Sequence, residues 1–173
     1  YNTITSADDN VVIGYNAGAA GTTGGENVII GKNANATSKA TSSVIIGKDA
    51  ASLGGATDNV YRSVIIGTGA GNGNGVTGNV AIGYQAGTGP TDNSNENIAI
   101  GTSTIKFVKG TASATATYNV AIGYEAMKGA ANLTESDYNV AIGAEALTGS
   151  TTGSKNVAIG YQAGMSITDG GNN

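Results

Sequence analysis

One five-residue phrase recurs nine times in this chain: Asn or Ser, a β-branched residue, a small or β-branched residue, Ile and Gly. The copies end at Gly14, Gly31, Gly47, Gly67, Gly83, Gly101, Gly123, Gly143 and Gly160. Successive glycines lie 17, 16, 20, 16, 18, 22, 20 and 17 residues apart. Such a period constrains the fold more than any other signal, because each unit can bury its apolar face only against its neighbours. A minimum step of 16 with an excess of at most 6 predicts a fixed coil with variable loops at its corners. A second anchor stands three residues after each glycine: Ala17, Ala34, Ala50, Ala70, Ala86, Ala126, Ala146 and Ala163, with Thr104 in the sixth copy.

Runs such as Val157-Ala158-Ile159 are strand chemistry. β-Branched side chains suit a pleated surface, and the glycine comes too soon for a helical stripe. Alternation puts Val157 and Ile159 on one face and Ala158 on the other. Both faces are apolar in every copy, as in strands covered on two sides. We therefore expect the outer pair to face the inside of its own coil and the middle residue to meet another chain. The middle residues, our trimer-interface candidates, are Val12, Ile29, Ile45, Ile65, Ala81, Ala99, Ala121, Ala141 and Ala158. They are bulky in the first half and Ala thereafter. Two inward side chains per coil do not offset the backbone entropy of about 16 residues, so coil-to-coil stacking and an obligate homo-oligomer are expected. Nine coils at about 4.8 Å each give a rod of roughly 43 Å.

The chain has 173 residues, 29 Gly, one Pro, one Phe, no Trp and no Cys. Gly lacks the three-residue period of collagen, and the phased Val and Ile argue against disorder. The net charge of −4 has no basic stripe, which disfavours nucleic acid as a partner. No apolar run reaches the roughly 18 residues of a membrane span. The opening Tyr1-Asn2-Thr3 has no signal-peptide character and reads as a mature or excised piece. No composition shift marks a domain boundary, so residues 1–173 read as one repeat array. Residues 1–9 read as the end of an earlier coil, and residues 168–173 as a frayed end or the start of another.

Without His or Cys the common nucleophile–base pairs and zinc sites are absent, and no enzyme, metal or cofactor is expected. The acids are scattered at corners and read as solvated surface. Gly71-Asn72-Gly73-Asn74-Gly75 reads as a plain turn rather than a phosphate cradle, since Lys and a helix do not follow. Asn35-Ala36-Thr37 and Asn132-Leu133-Thr134 fit the glycosylation pattern, which is short enough to arise by chance. The run Thr104-Ile105-Lys106-Phe107-Val108-Lys109 alternates as a second strand, with Ile105 and Phe107 plugging a widened coil. In the competing reading Lys106, Phe107 and Lys109 form a contact patch. Tyr15, Tyr84, Tyr124 and Tyr161 each follow a repeat glycine. Corner packing against the next coil is the expected role, and sugar stacking, with Tyr84 and Tyr161 as surface-contact candidates, is the alternative.

Asn119-Val120-Ala121-Ile122-Gly123 with Ala126 matches in full the repeat of YadA-like heads of trimeric autotransporter adhesins, and eight of nine copies carry both anchors. The chain resembles that family over about residues 10–164. Similar repeats occur in bacteriophage tail-fibre proteins, often with the Gly-Tyr-Gln-Ala-Gly continuation seen at residues 83–87 and 160–164. The resemblance implies a left-handed parallel β-roll, one coil per repeat, with three chains around an axis. It implies an extracellular virion or cell-surface fibre whose work is host attachment, with a glycan or protein receptor. Steps here exceed the family's roughly fourteen-residue minimum, and Ile replaces Ala in early copies. Two fibre readings follow: a structural tail-fibre segment that presents a receptor-binding tip, or an adhesin head that itself binds a host surface. An ice-binding solenoid would need a flat Thr array, and Thr22, Thr57 and Thr91 sit at drifting offsets.

Overall fold

A computed structural model describes residues 9–19, 24–52, 59–73, 76–89, 95–106, 117–129, 137–149, 153–165, 167 and 170–173. It is an all-β parallel solenoid, with no helix among the described residues. Nine of the twelve strands among the described residues form one sheet in the order β1 (Val11–Ile13), β2 (Val28–Ile30), β4 (Val44–Ile46), β6 (Val64–Ile66), β8 (Val80–Ile82), β9 (Ile98–Ile100), β10 (Val120–Ile122), β11 (Val140–Ile142) and β12 (Val157–Ile159). Each strand is a copy of the repeat, and all pairings are parallel and in register, as Val64 on Val80, Ile65 on Ala81 and Ile66 on Ile82 show. A smaller sheet stacks β3 (Lys39–Thr41), β5 (Asn59–Tyr61) and β7 (Val76–Thr77).

Pairing does not stop at the strands. In the turn after each glycine, backbone N–H groups bond to the carbonyl one repeat position earlier in a neighbouring rung. Asp49 N donates to Lys32 O at 2.9 Å, and Ala51 N to Ala70 O at 2.9 Å. These ladders supply the coil-to-coil stabilisation that the sequence demanded.

The repeat glycines have φ between 129° and 141°, in a region that favours glycine. They are also stacked. A Cβ on any from Gly14 to Gly143 would collide with the carbonyl of the next repeat glycine. Residue type at this position is therefore fixed twice, by backbone angle and by the rung above.

The Asn or Ser that opens each copy forms a buried polar spine. The residue before it is left-handed at every copy, from Asp9 (φ 60°) to Lys155 (φ 61°). The next backbone N–H is met by a side chain of the preceding rung. Asn97 N donates to Asn79 Oδ1 at 2.8 Å, Asn119 N to Asn97 Oδ1 at 2.9 Å, and Asn139 N to Asn119 Oδ1 at 2.9 Å. Ser63 N and Asn79 N are met instead by Ser43 Oγ and Ser63 Oγ, each at 3.2 Å. Asn172 and Asn173 repeat this corner: Asn172 is left-handed (φ 65°), and Asn173 N donates to Asn156 Oδ1 at 3.1 Å.

The interior reverses one expectation. The middle strand residues point into their own coil. Ile29, Ile45, Ile65, Ala81, Ala99, Ala121, Ala141 and Ala158 are buried within the single chain, and Val12 packs against the same core. They are interior residues and not a trimer interface. Alternation correctly separates the two faces but does not say which is inside. The anchor alanines are buried too, except Ala163 in the last copy, which is half-buried. Thr104 takes their place in the sixth copy with its hydroxyl donating to Gly123 O at 2.7 Å.

The shift from Ile to Ala has a partner across the interior. The sixth residue after each middle position faces it: a Cβ on Gly18 would lie 3.5 Å from Val12 Cγ1, and one on Gly164 3.3 Å from Ala158 Cβ. This position holds Ala51 and Gly71 below Ile45 and Ile65, but Ile105, Met127 and Leu147 below Ala99, Ala121 and Ala141. Those three large residues are buried, although all are left-handed (φ 44°, 51° and 51°). The core accordingly divides into two clusters, one ending at Val76 and the next starting at Ala81. The first contains the small-sheet residues Ala40, Val60 and Val76.

Candidate interaction surface

With the middle residue inside, the flanking Val and Ile of each rung point outward. The middle residue of every rung from β2 to β12 is buried, while its two neighbours are half-buried or exposed. Two parallel columns result, one running from Val11 to Val157 and the other from Ile13 to Ile159. Ile98 and Ile122 lie in the middle of the face at 37% exposure, and Ile159 at its end reaches 66%. A regular and continuous apolar face of this kind is a candidate interaction surface. Sequence reasoning found these residues but placed them inside.

The ends of each rung carry two further columns. On the side where the strand enters stand Asp9, Glu26, Ser42, Arg62, Gly78, Glu96, Tyr118, Tyr138 and Lys155, one per rung. Vertical contacts run within this column. Ser42 Oγ donates to Glu26 Oε2 at 2.9 Å, and the rings of Tyr118 and Tyr138 stack 5.0 Å apart at 11°. On the exit side stand Tyr15, Lys32, Lys48, Thr68, Tyr84, Thr102, Tyr124, Ala144 and Tyr161. The expected corner packing of the tyrosines is not what the structure shows. Tyr15, Tyr84, Tyr124 and Tyr161 are all more than half exposed, with Tyr15 at 76%. The glycine before each tyrosine brings the chain out of the sheet, so the ring leaves the coil instead of lying along it.

One small charged cluster adjoins the exit column. Lys128 Nζ lies 2.7 Å from Glu125 Oε1, and this hydrogen bond holds the Glu125 carboxyl below its usual range. Tyr124, hydrogen-bonded to Glu125, has its phenol pushed above the ordinary tyrosine value. The partners lie at the surface, so the tuning is local. Among the described residues no group of three or more His, Cys, Asp or Glu gathers to hold a metal ion.

The remaining sequence candidates divide. Ile105 is buried, as expected, but it sits in a turn and not a strand. The second strand expected over residues 104–109 does not begin at its start: Thr104 and Ile105 lie in a turn with Ser103 and Ile105 left-handed, and residues 107–109 lie outside the described residues. Lys106 Nζ donates to Gln85 Oε1 of the neighbouring turn at 2.6 Å. Phe107 and Lys109 lie outside the described residues, as do Asn132 and the threonines Thr22, Thr57 and Thr91. Asn35 is fully buried with its Nδ2 on Ser38 O at 3.1 Å, which closes it to glycosylation. Asn72 accepts a hydrogen bond from Ser52 N at 2.8 Å, while Asn74 and Gly75 lie outside the described residues.

Comparison with protein-family models, curated proteins and solved structures finds no match. No helix among the described residues is long and apolar enough to cross a membrane. Functional inference therefore rests on the outward face and on the repeat itself.

Proposed function

We propose that this chain is a structural and adhesive segment of a homotrimeric fibre, built as a left-handed roll of nine coils of about 16–22 residues. The observation that supports it is the outward double column of Val and Ile, half-buried or exposed in the single chain. A second copy is the natural cover for such a face, because its own columns repeat at the same spacing. Closed cyclic symmetry is the common solution for like chains, and three copies follow from the resemblance to YadA-like heads. The fibre spaces or presents a receptor-binding tip on a virion or bacterial surface for host attachment. It works without catalysis, metal or cofactor, and without nucleic acid or membrane insertion in this segment.

An adhesin head that itself binds a host glycan or protein is the second reading, favoured by the exposed tyrosines beside the face. Electron microscopy of the intact assembly, with antibody raised against this chain, tests both. Label along fibres that project from a virion supports the first reading, and label on cell-surface fibres the second. Label confined to free, non-fibrous protein contradicts both.

A further inference from the structure

We infer that the exit column over the last five rungs is a ladder for a neutral, extended β-1,4-linked glycan, with one tyrosine under every second sugar. This rests on the second reading above, in which the chain itself binds a glycan. The column alternates: Tyr84, Tyr124 and Tyr161 stand on every second rung, with Thr102 and Ala144 between them. Backbone bonds fix their heights. Ser103 N donates to Tyr84 O at 2.9 Å, Glu125 N to Thr102 O at 2.9 Å, Glu145 N to Tyr124 O at 2.8 Å and Gln162 N to Ala144 O at 2.9 Å. Successive tyrosines are therefore about 9.6 Å apart along the stack. On the entry side Tyr118 and Tyr138 occupy consecutive rungs and stack on each other at 5.0 Å. Two rungs exceed the roughly 7 Å reach of ring stacking, so the three exit rings do not cover one another.

The residue after each of these tyrosines belongs to a polar pair. Lys106 Nζ donates to Gln85 Oε1 at 2.6 Å, Lys128 Nζ to Glu125 Oε1 at 2.7 Å, and Gln162 Nε2 to Glu145 Oε2 at 2.7 Å. Each pair keeps further donor and acceptor capacity for a ligand. Two lysines and two glutamates leave the pairs without net charge, which favours a neutral ligand over an acidic one. A sugar ring has a face of C–H groups and a rim of hydroxyls, so a tyrosine ring with polar groups beside it matches both. In an extended β-1,4-linked chain successive sugars are turned over, and the same face returns at every second sugar. Each sugar advances by about one rung, so the two-rung period sets the tyrosines under sugars of like orientation. An α-1,4-linked chain curves away from a straight column.

Calorimetric titration of the purified chain with cellohexaose, chitohexaose and maltohexaose, beside a glycan array, tests the ladder. Saturable binding of at least one of the two β-1,4-linked hexasaccharides, and not of α-1,4-linked maltohexaose, is the expected result. Tyr124→Ala should weaken that binding about three- to tenfold. Tyr15→Ala, in the same column but outside the ladder, should leave it unchanged. The Y124A/A144Y variant keeps the number of rings but moves one by a rung, and should not restore affinity. Restored affinity there, unchanged affinity in Tyr124→Ala, or equal binding of maltohexaose overturns the ladder and leaves glycan binding standing. Array binding confined to other linkages or to acidic glycans does the same. An array with no bound glycan removes the second reading and the ladder with it.

Discussion

Ile65 and Gly71 face each other across the interior so closely that a methyl group on Gly71 would sit 2.8 Å from Ile65 Cδ1. Three rungs later the sizes are exchanged, with Ala121 on the strand and Met127 in the turn, both buried. At these two rungs either side supplies the bulk, whereas Ala81 with Gly87 and Ala158 with Gly164 are small on both sides.

This exchange predicts compensation. Ala121→Ile alone should overpack the coil and cost about 1–3 kcal/mol. Met127→Gly alone should open a cavity and cost on the order of 2–5 kcal/mol, reduced by relief of the left-handed backbone at φ 51°. The double variant should cost less than the sum of the two. A double-mutant cycle from denaturant unfolding checks this, and strict additivity would show that the two positions do not share one space.

The polar spine predicts which residues can replace Asn119. In Asn119→Ala the N–H of Asn139 loses its acceptor in a buried position, at about 1–3 kcal/mol. Asn119→Ser should recover much of the loss, because Ser43 and Ser63 fill the same role elsewhere in the spine. Hydrogen exchange at the Asn139 amide separates the variants: fast in Ala, slow in Ser. Equal exchange in both would argue that the spine is incidental.

The glycine column predicts a positional difference. A Cβ at Gly67 would strike the carbonyl of Gly83, whereas one at Gly160 would find only Ala163 Cβ at 4.0 Å. Gly160→Ala should cost about 1–3 kcal/mol, for backbone strain alone. Gly67→Ala should cost more, since two rungs must separate. Thermal unfolding midpoints rank them, and the reverse order would contradict the stacked-glycine account.

The Tyr124–Glu125–Lys128 cluster gives a pH prediction. Glu125 is held low in the native state, so its contribution is present above its unfolded pKa and is lost as pH falls through the native value. Tyr124 is raised, so its contribution is present below its unfolded pKa and is lost as pH rises through the native value. Both effects should be small at this exposed site. Glu125→Gln should bring Tyr124 back toward the ordinary tyrosine value. A ring-carbon NMR titration of Tyr124 reads the shift, and an unchanged titration would remove the hydrogen bond from the account.

The parallel stack was legible because Val, Ile and Gly recur at a spacing that only stacked rungs satisfy. Which side of the rung faces in was not. Period-two alternation separates Val120 and Ile122 from Ala121 but is silent on direction, and bulk alone points to the wrong pair as the core. Its inward neighbour is small because a turn residue such as Met127 occupies the same space. That partner was hidden, since a large apolar residue in a left-handed turn matches neither strand nor helix periodicity. The role of Asn and Ser before each strand was equally hidden, because it depends on a neighbour about 16–22 residues away. The exposed tyrosines were visible as a column, but their direction depends on the glycine conformation.

The central claim is that the outward Val and Ile columns are covered by further copies of the chain. Sedimentation equilibrium of the purified chain at micromolar concentration tests it most directly. The account predicts a species of three times the 16.9 kDa chain mass. A single species of one chain mass, unchanged as concentration rises, would contradict it.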